Sequence, residues 1–97
     1  PRNARVALYG AGRHTRRALP AMKLANVAVA AVIDDDATLQ GTQIEGKPVI
    51  HSREAKAAGI DAVILSSDAH EPALWRASQP LRSAGIPVIA LYGRYES

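Results

Sequence analysis

Cysteine is absent from the 97 residues. Disulfides and thiolate metal sites are therefore excluded, and a cytoplasmic setting is expected. Phenylalanine is absent as well, and a single Trp and three Tyr supply all the aromatic side chains. A core must then be built from Val, Ile, Leu and Ala, a composition suited to a sheet buried by helices on both faces. Long apolar runs are missing: the longest, residues 27–33, falls far short of the roughly 20 residues that cross a bilayer. Neither membrane insertion nor a signal peptide is expected. Charge of one sign is not in large excess, since 12 basic and 9 acidic residues leave a net +3. The arginines are scattered, with no interleaved aromatic platform, so nucleic acid is not an expected partner. The chain opens on Pro1, which suggests a single domain over residues 1–97 cut from a longer protein.

The apolar segments that are present alternate with helical patterns. Residues 5–9 (RVALY) read as a buried first strand ending at Gly10. Thr15, Ala18, Leu19 and Met22 follow helical spacing, with Pro20 expected to kink or end that helix. Residues 27–33 (VAVAAVI) form a second strand whose unbroken apolarity implies cover on both faces. Residues 34–47 show no convincing helical face and read as a loop with an extended turn. Residues 48–50 make a short third strand. Ser52 is placed to cap a short helix over residues 53–58, stopped by Gly59. Residues 61–66 (DAVILS) make the fourth strand. Pro72 suits the first turn of a helix capped by Glu71 or an upstream residue, with Leu74, Ala77, Ser78, Leu81 and Ala84 on one face. Pro80 disturbs it, and Gly85 stands just past its end. Residues 87–92 (PVIALY) form the fifth strand. These elements predict an α/β fold of three layers with a five-stranded parallel sheet in the order 3-2-1-4-5, ligands binding at the carboxyl ends of the strands.

That edge collects the polar inventory. Gly10, Gly12, Arg13, His14 and Thr15 follow strand one, and Asp34, Asp35 and Asp36 follow strand two. His51 and Ser52 follow strand three, and Ser66, Ser67, Asp68 and His70 follow strand four. Gly10 permits a tight turn, and Gly12 lets a phosphate approach backbone at a helix start. Thr15 stands where a third glycine would complete G-x-G-x-x-G; its hydroxyl suits a phosphate or a bond back to the helix. The turn is read as a phosphate or nucleotide site, with a ligand-free βα connection as the alternative. Asp34, 22 residues beyond Gly12, sits where a carboxylate holds an adenosine ribose and repels a 2′-phosphate, favouring NAD over NADP. A plain solvated turn is the competing reading for Asp34 and the preferred one for Asp35 and Asp36. Arg13 is the arginine best placed for a phosphate. Ser66 and Ser67 face either ribose or the next helix, and Asp68 reads as a cap. No H-x-x-x-H or H-x-E spacing supports a metal site, and no nucleophile elbow supports catalysis.

The glycine turn, the acidic pair after strand two, Gly41, Ile44, Gly46, Pro48 and Val49, and IDAVILSS at residues 60–67 resemble small Rossmann-like domains. These domains belong to bacterial polysaccharide and sugar-nucleotide enzymes, often described as NAD- or CoA-binding-like. The resemblance implies nucleotide or nucleotide-sugar phosphates on Gly10, Gly12 and Arg13, with Asp34 on a ribose or sugar. The strand-four segment is also similar to glucose-fructose oxidoreductase relatives, whose E-K-P is replaced here by Ala90, Leu91 and Tyr92. The expected role is thus a non-catalytic nucleotide-binding module contacting other domains of its parent. An NAD-dependent oxidoreductase fragment and a ligand-free structural or dimerising domain are the alternatives.

Overall fold

The computed structural model describes residues 4–10, 28–66 and 70–95. Among them six strands form one sheet: β1 (Val6–Tyr9), β2 (Val29–Ile33), β3 (Gln43–Ile44), β4 (Lys47–Ile50), β5 (Ala62–Leu65) and β6 (Val88–Ala90). Their order is β3-β4-β2-β1-β5-β6. The five expected strands stand in the expected order and run parallel. The sixth, β3, pairs antiparallel with β4 at one edge.

The expected loop over residues 34–47 therefore contains a hairpin. Glu45 and Gly46 both have positive φ, 49° and 78°. Positive φ at both central residues defines the type I′ turn, whose twist matches that of the strands it joins. Glutamate is an unusual first residue for this turn, which normally announces itself as Asn-Gly or Asp-Gly.

Side chains alternate between the two faces, as a pleated strand requires. Ala7, Tyr9, Ala31, Ile33, Val63 and Leu65 join Ala55, Ile60, Leu81 and Ile86 in one core. Leu8, Val29, Val32, Ile44 and Val49 form a second core on the opposite face. The register between β1 and β2 shifts once, from Val6↔Val29 to Ala7↔Ala31. That extra residue turns Val29 to the same face as Val32.

Two helices follow β5: α1 (Glu71–Ala77) and α2 (Gln79–Ser83), broken at Ser78. Pro80 has no N–H to continue the ladder. Ser78 Oγ and Arg82 Nη2 both donate to the Trp75 carbonyl at the break, at 2.6 and 2.9 Å. The helix expected over residues 53–58 is instead a 3-10 turn, Ser52–Glu54, and its cap is His51 rather than Ser52. His51 Nδ1 accepts the Arg53 N–H at 3.1 Å, while Glu54 accepts the His51 N–H at 3.2 Å. The fifth expected strand is shorter than the apolar run suggests, because the N–H groups beyond Ala90 leave the ladder for Glu71. The helix expected after Gly10, with Pro20, lies outside the described residues.

Candidate functional site

The register sets the carboxyl edge level. Tyr9 is opposite Ile33 and Leu65, Ile33 opposite Ile50, and Leu65 opposite Ala90. The next residue of three strands is then held by one more backbone bond. Gly10 N–H donates to the Ile33 carbonyl at 2.7 Å, Asp34 N–H to Ile50 at 3.0 Å, and Ser66 N–H to Tyr9 at 3.3 Å. Gly10, Asp34 and Ser66 therefore start their loops from fixed points.

Gly10 has φ 105°, a conformation that an L side chain rarely adopts. A Cβ there would also come within 3.5 Å of Leu74 Cδ1, on the helix that follows β5. That distance is ordinary van der Waals contact, so it is the positive φ of the turn that calls for glycine here. Ser66 is 1% exposed and its hydroxyl donates to the Tyr9 carbonyl at 3.0 Å. It braces the Gly10 turn from the β5 side, so this serine acts on the site through backbone.

The three aspartates have separate tasks. Asp34 Oδ1 accepts the Asp36 N–H at 2.9 Å, and its carbonyl accepts from Gln40 Nε2. Asp36 caps the 3-10 turn Ala37–Leu39, accepting from Thr38 N–H at 2.9 Å and from its hydroxyl at 2.7 Å. Those two bonds hold the Asp36 carboxyl below its ordinary range.

Asp35 was expected to be a solvated turn residue, and the structure corrects this. Its Oδ2 accepts the Tyr9 hydroxyl at 2.6 Å, its Oδ1 accepts the Ser52 N–H at 2.8 Å, and His51 Nδ1 lies 3.4 Å away. Burial pushes the Asp35 carboxyl up, but the Tyr9 and Ser52 donors outweigh it and leave the group below its ordinary value. Tyr9 is pushed well above its ordinary value, first by burial and then by the Asp35 carboxylate. The ends of β1, β2 and β4 are thus tied through side chains as well as through the ladder.

On the other flank, the helix cap was expected to be Glu71 or an upstream residue. His70 holds the cap position without a side-chain bond. The Glu71 carboxylate reaches across to the loop after β6, accepting from Leu91, Tyr92 and Gly93 N–H and from the Tyr95 hydroxyl. Burial raises its pKa, yet these donors bring it below the ordinary glutamate value. Sequence reading missed both carboxylates because their partners lie 17–26 residues away.

Gly12, Arg13, His14, Thr15, Ser67 and Asp68 lie outside the described residues. Among the described residues no group of three His, Asp or Glu could hold a metal. No helix there is long and apolar enough to cross a membrane.

Residues 2–76 match the family model described as C2185-like, N-terminal. The chain belongs to this C2185-like N-terminal family. No curated protein matches it. Solved structures share its Rossmann-like fold at low identity. UDP-D-quinovosamine 4-dehydrogenase from Vibrio fischeri is 20% identical, with a TM-score of 0.70 over 93% of this chain and 79% of that one. RSP, a Rex-family repressor, is 18% identical, with a TM-score of 0.73 over 99% of this chain and 49% of its own. This C2185-like chain therefore spans about half of the repressor. RSP has also been solved with β-NADH and with β-NAD+ and operator DNA. Those structures correct the exclusion of nucleic acid. The same fold, covered over 92% of this chain at a TM-score of 0.63, serves in a protein on DNA. Scattered arginines and scarce aromatics do not rule that partner out.

Proposed function

We propose that the carboxyl edge binds a nucleotide of the NAD class. The phosphates lie at the turn that begins at Gly10, and the adenosine ribose lies on Asp34. The observation that carries this reading is the neighbouring placement of the two residues. Gly10 at φ 105° is bonded to the last carbonyl of β2, one residue before Asp34. Asp34 is assigned to the ribose by its place, the first residue past β2, 22 residues beyond Gly12 and next to the carbonyl that holds Gly10. Gly12, Arg13, His14, Thr15 and Ser67 would complete the phosphate side. RSP, solved with β-NADH and with β-NAD+, supports the choice of dinucleotide.

The domain holds the nucleotide and leaves chemistry to other parts of its parent protein. A second reading, a sugar nucleotide in the same place, is favoured by the dehydrogenase neighbour, which is named for a UDP-sugar and of which this chain covers 79%. Calorimetric titration with NAD, NADP and a UDP-sugar separates the two. NAD should bind, NADP should bind more weakly, and Asp34→Ala should lower NAD affinity roughly tenfold or more, the worth of hydrogen bonds to a charged group. Binding of UDP-sugar without NAD would favour the second reading. Failure of all three at millimolar concentration would refute both.

A further inference from the structure

Glu71 opens α1 with only 1% of its surface exposed. A buried carboxylate is costly unless donors surround it. Here Oε2 accepts the Leu91 and Tyr92 N–H groups, both at 3.0 Å, and Oε1 accepts the Gly93 N–H at 2.6 Å and the Tyr95 hydroxyl at 3.0 Å. The Tyr95 ring is stacked on Trp75 at 5.1 Å, and the Arg82 guanidinium lies 4.0 Å from the centre of the Trp75 ring. Three consecutive backbone amides are thereby fixed, while the Leu91 and Tyr92 side chains stay largely exposed. Leu91 is 49% exposed and Tyr92 59%, and with Ile89 they are the exposed large hydrophobic residues among those described.

The sheet order says what this wall faces. β2, with Asp34, lies on one side of β1, whereas β5 and β6 lie on the other. A nucleotide with its ribose at Asp34 and its phosphates at Gly10 extends toward β5 and β6 as it lengthens. Two strand spacings, about 10 Å, separate the ends of β1 and β6. A mononucleotide stops short of that distance, and a second nucleotide half beyond the phosphates covers it.

We propose that Glu71 is a positioning residue that holds residues 91–93 as a preformed wall for the second half of a dinucleotide, with Leu91 as its apolar contact. This inference rests on the nucleotide reading above. A loop already ordered before binding carries no further ordering cost when the ligand arrives.

The test compares AMP with NAD by calorimetry on the wild-type chain, Glu71→Gln and Leu91→Ser, together with backbone hydrogen exchange at residues 91–93. NAD affinity should fall roughly five- to tenfold in each variant, the scale of one lost apolar contact, while AMP affinity stays unchanged. Amides 91–93 should exchange at least about tenfold faster in Glu71→Gln and at the wild-type rate in Leu91→Ser. Leu91→Ser alters an exposed side chain, so its result stands even if Glu71→Gln fails to fold. A purely structural role for Glu71 would lower AMP and NAD affinity together, and that result would overturn the proposal. Unchanged NAD affinity in Leu91→Ser would also overturn it, as would wild-type NAD binding no tighter than AMP; both leave the nucleotide reading intact. A wild-type chain that binds neither ligand sinks the nucleotide reading and this inference with it.

Discussion

Removing the Tyr9 hydroxyl tests whether the Asp35 junction aligns the carboxyl edge. Tyr9→Phe keeps the ring, which is 2% exposed, and deletes one donor without opening a cavity. The lost bond is short, 2.6 Å, and its acceptor is ionised. Bonds of that type contribute about 1.5–3 kcal/mol. The Asp35 side chain is 37% exposed, so water can take the vacated lone pair. The expected cost of Tyr9→Phe is therefore reduced to about 1 kcal/mol, or a Tm lower by about 4–8 °C in a domain of this size.

Asp35→Ala should cost more, because it strands two donors, the buried Tyr9 hydroxyl and the Ser52 N–H. About 2–3 kcal/mol is expected. The double variant should then fall short of the sum by about 1 kcal/mol, since each single change has already broken the shared bond. Urea denaturation of the four proteins at pH 7 measures all three quantities. A coupling below about 0.3 kcal/mol would refute the claim that these groups act as a unit. The same cycle read by NAD affinity shows whether alignment of Asp34 depends on the junction.

Glu71→Gln should destabilise the fold by about 1.5–3 kcal/mol. Each carboxylate oxygen takes two donors, so the amide nitrogen faces at least one N–H wherever it lies; an effect under about 0.5 kcal/mol by urea denaturation would contradict this. The folded Glu71 carboxyl lies below its ordinary 4.5 and binds fewer protons than in the unfolded chain. Its contribution is therefore present above pH 4.5 and is lost as pH falls through the folded value. Wild-type minus Glu71→Gln stability should shrink on acidification, and a difference independent of pH from 7 to 3 would count against the assignment. Gly93→Ala would place a Cβ 2.5 Å from the Tyr95 hydroxyl and 2.7 Å from Cζ. The Tyr95 ring must then shift against Trp75 and Glu71, so Trp75 fluorescence should change in the folded protein; an unchanged spectrum would argue against the packing described.

The sheet was legible in the sequence because its signals are local. Residues 29–33 and 62–65 are continuous apolar runs, and each is buried on alternating faces within a few residues of where the pattern puts it. Gly10 was legible for the same reason: a glycine after a buried strand marks a turn, and the turn has positive φ. β3 was not, because Glu45-Gly46 makes a type I′ turn without the asparagine or aspartate that usually signals one. The carboxylates were the least legible. Asp34, Asp35 and Asp36 are one residue type in a row, yet one turns back on the following loop, one joins three strand ends and one caps a 3-10 turn. Sequence spacing cannot sort them, because the choice is made by Tyr9 and Ser52, 26 and 17 residues from Asp35.

Glu71 carries the same lesson to the opposite flank. Its position beside Pro72 suggests a cap, but its donors belong to a segment 20–24 residues later. Two carboxylates thus brace the carboxyl edge on either side of Gly10. Asp35 ties β1 to the loops after β2 and β4, and Glu71 ties the helix after β5 to the loop after β6. A parallel ladder fixes where strands end but not how their loops leave. Ionised acceptors in partly or fully buried surroundings supply that second constraint, because each holds several donors at once. The edge can then present Asp34 and the side chains of residues 91 and 92 from backbone that is already ordered, the condition under which binding loses least to conformational entropy.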